Sequence, residues 1–358
     1  MTLPGPDSAA DPQSPSAPRD RKEEQLLLAL DRSMQLGGRY FDRLTFEHVA
    51  LPELALEDID TRTSFVGRPL AAPLLISGMT GGTEVAGPVN RRLAEAAEAR
   101  GIALGVGSQR GALHDEALVP TFQVRPSAPS VPILANLGAV QLNEGYGLAE
   151  CRAAVDMVGA DALVLHLNVL QEALQPEGQT NFRGLLPAMG RVARALGVPV
   201  VAKEVGNGIS AGVARALVAE GITIVDVAGS GGTSWARIEA RRSGATSTGE
   251  AFASWGIPTP RAIRDVAGVD GVTVIGSGGL RSGVDVAKAL ALGASLAGLA
   301  HPFLEAAMES TERVIEVIDR IVRELRVAML CVGAADLEQL RRAPLTEDQG
   351  PWINAQVR

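Results

Sequence analysis

From residue 73 onward, eight short apolar runs alternate with helix-forming stretches. Strands separated by helices pair in parallel, because each connection crosses the sheet as a helix. Eight such units are the number that closes a (β/α)₈ barrel, so the pattern predicts an α/β fold of the TIM-barrel type, although an open doubly wound sheet would give the same alternation. The runs begin at Pro73, Ile102, Pro132, Ala162, Val198, Ile222, Val272 and Ser295.

The residues outside these units predict an N-terminal extension and C-terminal helices around one barrel domain spanning 20–358. The chain has 358 residues, and a barrel alone needs roughly 250. Segment 1–19 is rich in Pro, Ser, Asp and Ala and predicts a disordered tail. Segments 44–54 and 63–70 predict an antiparallel strand pair that caps the barrel floor. Segment 305–330 has helical periodicity and is expected to wrap the barrel.

Charge and cysteine usage exclude several classes of function. The formal net charge of −8 repels polyanions, so neither nucleic acid nor a membrane surface is expected as a partner. The two cysteines, Cys151 and Cys331, lack metal-ligand spacing and predict neither a disulfide framework nor a zinc site. No apolar run is long enough to span a bilayer, and no signal peptide is apparent, so a cytoplasmic protein is expected.

Nearly every predicted strand ends in a cluster of glycine and polar residues. Active sites of barrels form at these carboxyl ends, so the clusters predict the position of the site. The cluster 276–283 also opens a helix, whose N-terminal N–H groups are expected to meet a phosphate, although turn glycines alone would give the same motif. The clusters are SGMTGG from Ser77, GSQRG from Gly107, ANLG from Ala135, HLNVLQE from His166, AKEVGNG from Ala202, AGSGGTSW from Ala228, GSGGLRSG from Gly276 and LAHP from Leu299.

Lys203 stands at the buried end of the fifth predicted strand. An unpaired ammonium there would be costly, so it requires an anionic partner such as Glu204, a phosphate or a reduced flavin. A purely structural salt bridge explains the lysine equally well.

The connection 229–258 is long and rich in Gly, Ser and Thr. Such an insertion in a compact domain is typical of a functional loop or lid. We expect 241–255 to be mobile without ligand and to become ordered when ligand binds.

In their order along the chain, the motifs resemble those of type 2 isopentenyl diphosphate isomerases. They are RK at Arg21 and Lys22, SGMTGG, GSQR, ANLG, HLNVLQE with a following PEG, AKEVGNG, GGTSW with Glu239, and SGGLRSG. The resemblance implies a flavin-dependent barrel that interconverts isopentenyl and dimethylallyl diphosphates by proton addition and removal. It also implies reduced FMN, Mg²⁺, NADPH as reductant and a homo-oligomer, either a tetramer or an octamer.

The same resemblance assigns individual residues. To the flavin it assigns Gly78, Met79, Thr80, Ser108, Asn136, Lys203, Thr233, Gly279, Leu280, Arg281, Ala300 and His301. To the substrate it assigns Arg21, Lys22, Ser108, Gln109, Arg110, Asn168 and Gln171. Glu172 would hold the metal, and the catalytic group would comprise Gln171, His166, Glu239 and Trp235.

Two features of these motifs carry physical expectations. The residues from His166 to Glu172 do not share a strand face, so the chain must leave β geometry near Asn168 to gather them. Gln25 stands where the family usually has His, and an amide can bind a phosphate oxygen but adds no positive charge.

Two other functions remain open on sequence grounds. An FMN-dependent oxidase of 2-hydroxy acids would share the glycine clusters and the lysine, but would require a histidine base beside the flavin. A non-catalytic module that binds flavin or phosphate would have no need for Gln171, Glu172 and Glu239 together.

Overall fold

Residues 18–36 and 40–347 of a computed structural model are described, and side chains are described from residue 21 onward. Its strands are β1 (Leu44–Phe46), β2 (Thr63–Phe65), β3 (Arg68–Leu70), β4 (Leu74–Ile76), β5 (Ala103–Gly105), β6 (Ile133–Gly138), β7 (Ala162–Leu167), β8 (Val200–Glu204), β9 (Ile224–Asp226), β10 (Thr273–Ser277), β11 (Leu296–Leu299) and β12 (Leu345–Glu347). Strands β4 to β11 close into a parallel barrel, in which β11 pairs with β4. The predicted (β/α)₈ barrel is confirmed, and each of its strands begins within one of the eight apolar runs.

The helices pack around this barrel. They are α1 (Pro18–Leu30), α2 (Ala86–Arg100), α3 (Leu148–Val158), α4 (Val169–Leu174), α5 (Leu185–Ala195), α6 (Ala211–Ala219), α7 (Trp235–Ser243), α8 (Thr246–Ala251), α9 (Thr259–Ala267), α10 (Gly283–Ala291), α11 (His301–Glu309), α12 (Thr311–Cys331) and α13 (Leu337–Arg342). Segment 305–330 is divided between α11 and α12, because Ser310 is extended and its hydroxyl caps α12. Among the residues described, no helix is both long and apolar enough to cross a membrane.

The interior of the barrel is filled by small and branched apolar side chains. Every barrel strand contributes at least one of them: Leu75, Ala103, Leu134, Ala162, Val164, Val201, Ile224, Ile275 and Leu296. Most stand at the start of their strands, so this layer lies at the amino-terminal end of the barrel. Phe65 and Leu70 of the β2–β3 hairpin belong to the same cluster and close the barrel floor.

The floor is capped as predicted, but the predicted pairing of 44–54 with 63–70 is wrong. Strands β2 and β3 both lie within 63–70 and pair with each other. Val66 and Gly67 between them have φ of 42° and 81°, the left-handed backbone of a tight two-residue turn, and such a turn forces its flanking strands together. Strand β1 pairs instead with β12.

Two further expectations concern the extensions. The predicted disordered tail 1–19 lies outside the described residues as far as residue 17, and its last two residues belong to α1. Segment 229–258, expected to be a functional loop or lid, contains α7 and α8. Arg237 of α7 forms an ion pair with Glu250 of α8, with Nε and Oε1 2.9 Å apart. The mobility of 241–255 remains a prediction.

We expect Phe65→Ala to lower the free energy of unfolding by about 3–5 kcal/mol, because it leaves a cavity in the floor of the barrel. Phe65 is 5% exposed. Urea unfolding followed by circular dichroism measures the change. Leu51→Ala is the control, since Leu51 is 85% exposed and its truncation should change stability by no more than about 0.5 kcal/mol. Equal effects of the two substitutions would contradict the role given to the hairpin.

Candidate active site

A cavity of about 790 Å³ lies at the carboxyl ends of the barrel strands. Residues from the loops after all eight barrel strands line it, together with one side of α1. Apart from Gln109 and Glu239, every residue predicted for the site lines this cavity. The barrel therefore brings together side chains that are up to 280 residues apart in the sequence, from Arg21 to His301.

Three cations form one end of the cavity: Arg21 and Lys22 from α1, and Arg110 from the loop after β5. The Lys22 ammonium donates hydrogen bonds to the carbonyl oxygens of Gly81 and Ser108, both at 2.9 Å. Burial and the neighbouring guanidinium groups of Arg21 and Arg110 lower the pKa of Lys22 to about 8. A bound anion would relieve this repulsion, so this end of the cavity is suited to a multiply charged anion.

Helix α1 covers the cavity of its own chain, and Gln35 helps to fasten this extension. The Gln35 amide nitrogen donates to the hydroxyl oxygen of Thr233 at 3.0 Å, and its amide oxygen accepts from Arg281 Nη2 at 2.5 Å. The backbone reinforces the contact, because the Leu36 N–H donates to the Gly232 carbonyl at 2.8 Å. Gln35 thus connects α1 to two residues assigned to the flavin.

Glu239 is fully buried behind the cavity wall and is held from three directions. Its Oε1 accepts from Gln171 Nε2 at 2.9 Å and from Gln25 Nε2 at 2.7 Å, while its Oε2 accepts from Arg242 Nη1 at 2.6 Å. Glu239 therefore reaches the cavity through Gln171, whose amide orientation it fixes. Gln25, the departure from the family motif, is part of this network as an amide donor.

Asn168 and Glu172 form a second polar group in the wall. Asn168 has φ of −132° and ψ of 47°, so the chain leaves β geometry there, as the spacing predicted, and α4 follows. Its Nδ2 donates to Glu172 Oε1 at 2.8 Å, and the Gln179 N–H donates to Glu172 Oε2 at 2.6 Å. Asn168 Oδ1 is buried without a partner. An oxygen acceptor therefore stands unused beside a carboxylate.

No group of three or more His, Cys, Asp or Glu side chains within 21–36 and 40–347 is arranged to hold a metal ion. A metal at Glu172 would therefore need most of its ligands from water or from a bound anion. Mg²⁺ commonly binds in this way, through one or two carboxylates and the phosphates of the substrate.

His166 is neutral at neutral pH. Burial, together with the ammonium groups of Lys203 and Lys22, lowers its pKa to about 4. Its Nδ1 lies 2.8 Å from Asn136 Oδ1, and an amide oxygen can only accept, so Nδ1 carries the proton. The other ring nitrogen, Nε2, can then accept a proton but has none to donate.

Gln109 lies beneath the cavity and is fully buried. Its Nε2 donates to the Ala154 carbonyl at 2.8 Å, and its Oε1 accepts from the Asn136 N–H at 2.9 Å. The structure thus places Gln109 behind Asn136, where it supports a wall residue.

The carboxylate partner of Lys203 is Asp226, a residue that the sequence reasoning missed. The ammonium lies 3.2 Å from Asp226 Oδ2 and donates to the backbone carbonyl of Glu204 at 3.0 Å. The Glu204 carboxylate instead accepts N–H groups from its own loop, including that of Asn207 at 2.5 Å. An acidic residue ending the apolar strand ITIVD was the available signal, since such a residue requires a partner.

Glycines allow the strand-end loops to approach closely around the cavity. A Cβ on Gly78 would lie 2.2 Å from the Val106 carbonyl oxygen, and one on Gly279 would lie 2.4 Å from the Gly231 carbonyl oxygen. Gly279 also has φ of 82°, which disfavours any side chain. The glycine clusters are therefore required for packing as well as for access of backbone groups to a ligand.

Phosphate binding by the cluster 276–283 remains a prediction, but the N-terminus of α10 itself is occupied. Its first N–H groups are already bound by carboxylates of the protein. The N–H groups of Arg281 and Ser282 donate to Asp285 Oδ2 at 2.9 and 3.1 Å, and that of Gly283 donates to Glu324 Oε2 at 2.6 Å. A phosphate at this end of the cavity would have to use other groups.

Two buried polar atoms near this end lack partners, His301 Nε2 and Ser77 Oγ. Both residues line the cavity, as does Arg281. Burial and the Arg281 guanidinium lower the pKa of His301. These atoms are available to a ligand because the protein leaves them unsatisfied.

Comparisons of the whole sequence identify its relatives. An isopentenyl-diphosphate delta-isomerase of Synechococcus sp. is 50% identical over 328 residues, which cover 90% of this chain and 94% of that protein. An isopentenyl-diphosphate delta-isomerase of Cronobacter sakazakii is 51% identical over 332 residues, covering 91% and 96%.

Two further comparisons concern the barrel. The family model described as FMN-dependent dehydrogenase matches residues 179–347. A crystal structure of a mandelate oxidase variant superposes with a TM-score of 0.62 at 21% identity, covering 91% of this chain and 92% of that one. At this level of identity, the likeness to the oxidase shows the fold alone.

We expect the affinity of the cavity for inorganic diphosphate to decrease as the pH rises above about 8. The pKa of Lys22 is lowered from 10.5 to about 8, so the ammonium is charged below pH 8 and loses its proton above it. If binding requires this charge, the dissociation constant should rise by up to about tenfold per pH unit above that value. Isothermal titration calorimetry between pH 7 and 9.5 measures it.

Lys22→Arg is the matched control, because a guanidinium remains charged throughout this range. The ionisation of diphosphate is the same for both proteins, so the ratio of their dissociation constants isolates Lys22. Parallel pH profiles would show that Lys22 does not control the affinity.

Proposed function

The chain belongs to the isopentenyl-diphosphate delta-isomerase family, and from this membership we propose that it interconverts isopentenyl diphosphate and dimethylallyl diphosphate with reduced FMN and Mg²⁺. The reaction moves a double bond by adding a proton at one carbon and removing one from another, without net oxidation. The observation that carries the proposal is one cavity that has cations at one end and Gln171 in its wall, held from behind by the buried Glu239.

The diphosphate would be held by the cations of α1 and the loop after β5. Arg21, Lys22 and Arg110 can each donate charged hydrogen bonds, and guanidinium groups match phosphate oxygens in pairs. Ser108 lines the same end and adds a neutral hydroxyl. Binding the diphosphate here would also leave its hydrocarbon part to the rest of the cavity.

Residues of the strand ends fit the proposed FMN. The unpartnered His301 Nε2 and Ser77 Oγ, together with Arg281, offer polar groups to the cofactor. The glycine loops let backbone approach it closely, and the match to FMN-dependent dehydrogenases over 179–347 supports the same cofactor. When bound and reduced, for which we propose NADPH as the reductant, FMN supplies an electron-rich ring that stabilises developing positive charge and exchanges a proton.

The proposed Mg²⁺ fits Glu172 and the unused Asn168 Oδ1. Both are oxygen ligands, which a hard cation prefers. The Glu172 carboxylate is oriented by two hydrogen-bond donors, Asn168 Nδ2 and the Gln179 N–H. Bound Mg²⁺ would neutralise part of the diphosphate charge, and so complement the cations of α1 and of the loop after β5.

The remaining side chains would position the alkene and manage its protons. Gln171 is a very weak acid, so we assign it the role of a positioning donor whose amide is oriented by the buried Glu239 carboxylate. The neutral His166 can accept a proton at Nε2. Trp235 lines the cavity, and an indole face stabilises a nearby cation such as the one formed when an alkene is protonated.

Isotope exchange tests the proposed activity. We expect the purified protein to be yellow and, after anaerobic reduction, to introduce deuterium from D₂O into isopentenyl diphosphate while forming dimethylallyl diphosphate. Mass spectrometry and NMR follow both products. The control is the same protein with its flavin left oxidised under air, which should exchange far less. Exchange that is independent of reduction, or net consumption of reductant with each turnover, would contradict the proposal.

We expect Glu172→Gln to weaken activation by Mg²⁺ while FMN remains bound, because a neutral amide is a poorer ligand for a hard cation. The Mg²⁺ concentration that gives half-maximal activity should rise by at least about tenfold, a loss typical of damaged metal sites. The visible spectrum of the bound flavin serves as the control for folding. If Mg²⁺ activates both proteins equally, the metal is not held by Glu172.

A further inference from the structure

The lysine at the end of β8 has a buried counter-ion in the next strand. Lys203 and Asp226 are register partners in the parallel pair β8–β9, so their side chains lie on the same face of the sheet. The ammonium and carboxylate are 3.2 Å apart, and the two side chains are 13% and 1% exposed. Lys203 lines the cavity, whereas Asp226 lies behind it.

Asp226 is also fixed from its other side. Ser277 at the end of β10 donates its hydroxyl to Asp226 Oδ1 at 2.5 Å, whereas Lys203 contacts Oδ2. The Ala228 N–H donates to the same Oδ1 at 3.3 Å. Three adjacent strands therefore hold this carboxylate in one position, and the carboxylate in turn holds the ammonium.

A charge beneath a flavin changes the electron affinity and the protonation of its ring, and burial strengthens the effect because water screens it poorly. Lys203 alone would present a full positive charge to the cavity. With Asp226 only 3.2 Å away, a ligand experiences a dipole whose net charge is zero.

We propose that Asp226 is a positioning residue that fixes Lys203 and cancels most of its charge at the flavin. The proposal rests on the proposed function, in which reduced FMN lies over these strand ends. A lone ammonium would favour the anionic reduced flavin, which has lost a proton from its ring. The neutralised pair would favour the neutral reduced flavin, which keeps that proton.

Sulfite binding to the oxidised holoenzyme measures this charge without using activity. Sulfite adds to N5 of oxidised flavin and leaves negative charge on the ring, so a positive charge nearby tightens binding. We expect Asp226→Asn to lower the dissociation constant for sulfite at least tenfold, and Lys203→Gln to raise it. The double variant removes both charges and should lie within about threefold of the unchanged protein, because the net charge of the pair is again zero.

Ser277→Ala is the matched control, because it removes a hydrogen bond to Asp226 but no charge, and its sulfite constant should stay within threefold of the unchanged protein. If Asp226→Asn does not fold because Lys203 is left unpaired, the double variant takes its place in the test, because it contains neither buried charge. It should then bind sulfite at least tenfold more tightly than Lys203→Gln.

The outcomes distinguish this proposal from the proposed function. A flavin-loaded protein that isomerises its substrate but shows the same sulfite constant with and without the Asp226 carboxylate overturns the counter-ion alone. A double variant that does not return towards the unchanged protein also overturns it. A protein that binds no flavin overturns both proposals.

Discussion

The closure of eight short parallel strands is the constraint on which the site depends. Parallel strands in a closed barrel all end on one side, so the polar residues that follow the strands gather around the same cavity. Residues of neighbouring strands become direct partners, as Lys203 and Asp226 do. The floor hairpin fills the opposite end, where Phe65 and Leu70 pack on the first residues of the strands. One end of the barrel is thus dry and apolar, and chemistry is confined to the other.

At the polar end, the charged groups are arranged as buried networks. Glu239 accepts hydrogen bonds from Gln25, Gln171 and Arg242, and so joins α1, α4 and α7. A buried carboxylate requires several hydrogen-bond donors, because an unsatisfied charge in the interior is costly. The Gln25 amide supplies one of these donors to Glu239. The glutamine gives Glu239 a donor without adding charge to a site that already contains Arg21, Lys22 and Arg110.

Sequence alone predicted the elements whose information is local. The barrel strands were found because each is a short apolar run followed by glycine or polar residues. The motif from His166 to Glu172 had to turn near Asn168 because its spacing excluded one strand face. The features that were predicted wrongly or missed depend on partners that are distant in the sequence. The pairing of β1 with β12 joins segments about 300 residues apart, as the Thr346–Thr45 hydrogen bond across 301 positions illustrates. The role of Asp226 depended on register, and the burial of Gln109 depended on packing by α3.

The β1–β12 pair also bears on the order in which the chain can fold during synthesis. Strand β1 emerges from the ribosome early, yet its partner is made only after the whole barrel, so β1 must wait unpaired through most of translation. Helix α1 also waits for a late partner. Gln35 attaches this extension to Arg281, which is translated late. Contacts between residues so far apart in the sequence form slowly, and they form late in folding. The barrel can therefore close before α1 brings Arg21 and Lys22 to the cavity, and this end of the site is completed only late in folding.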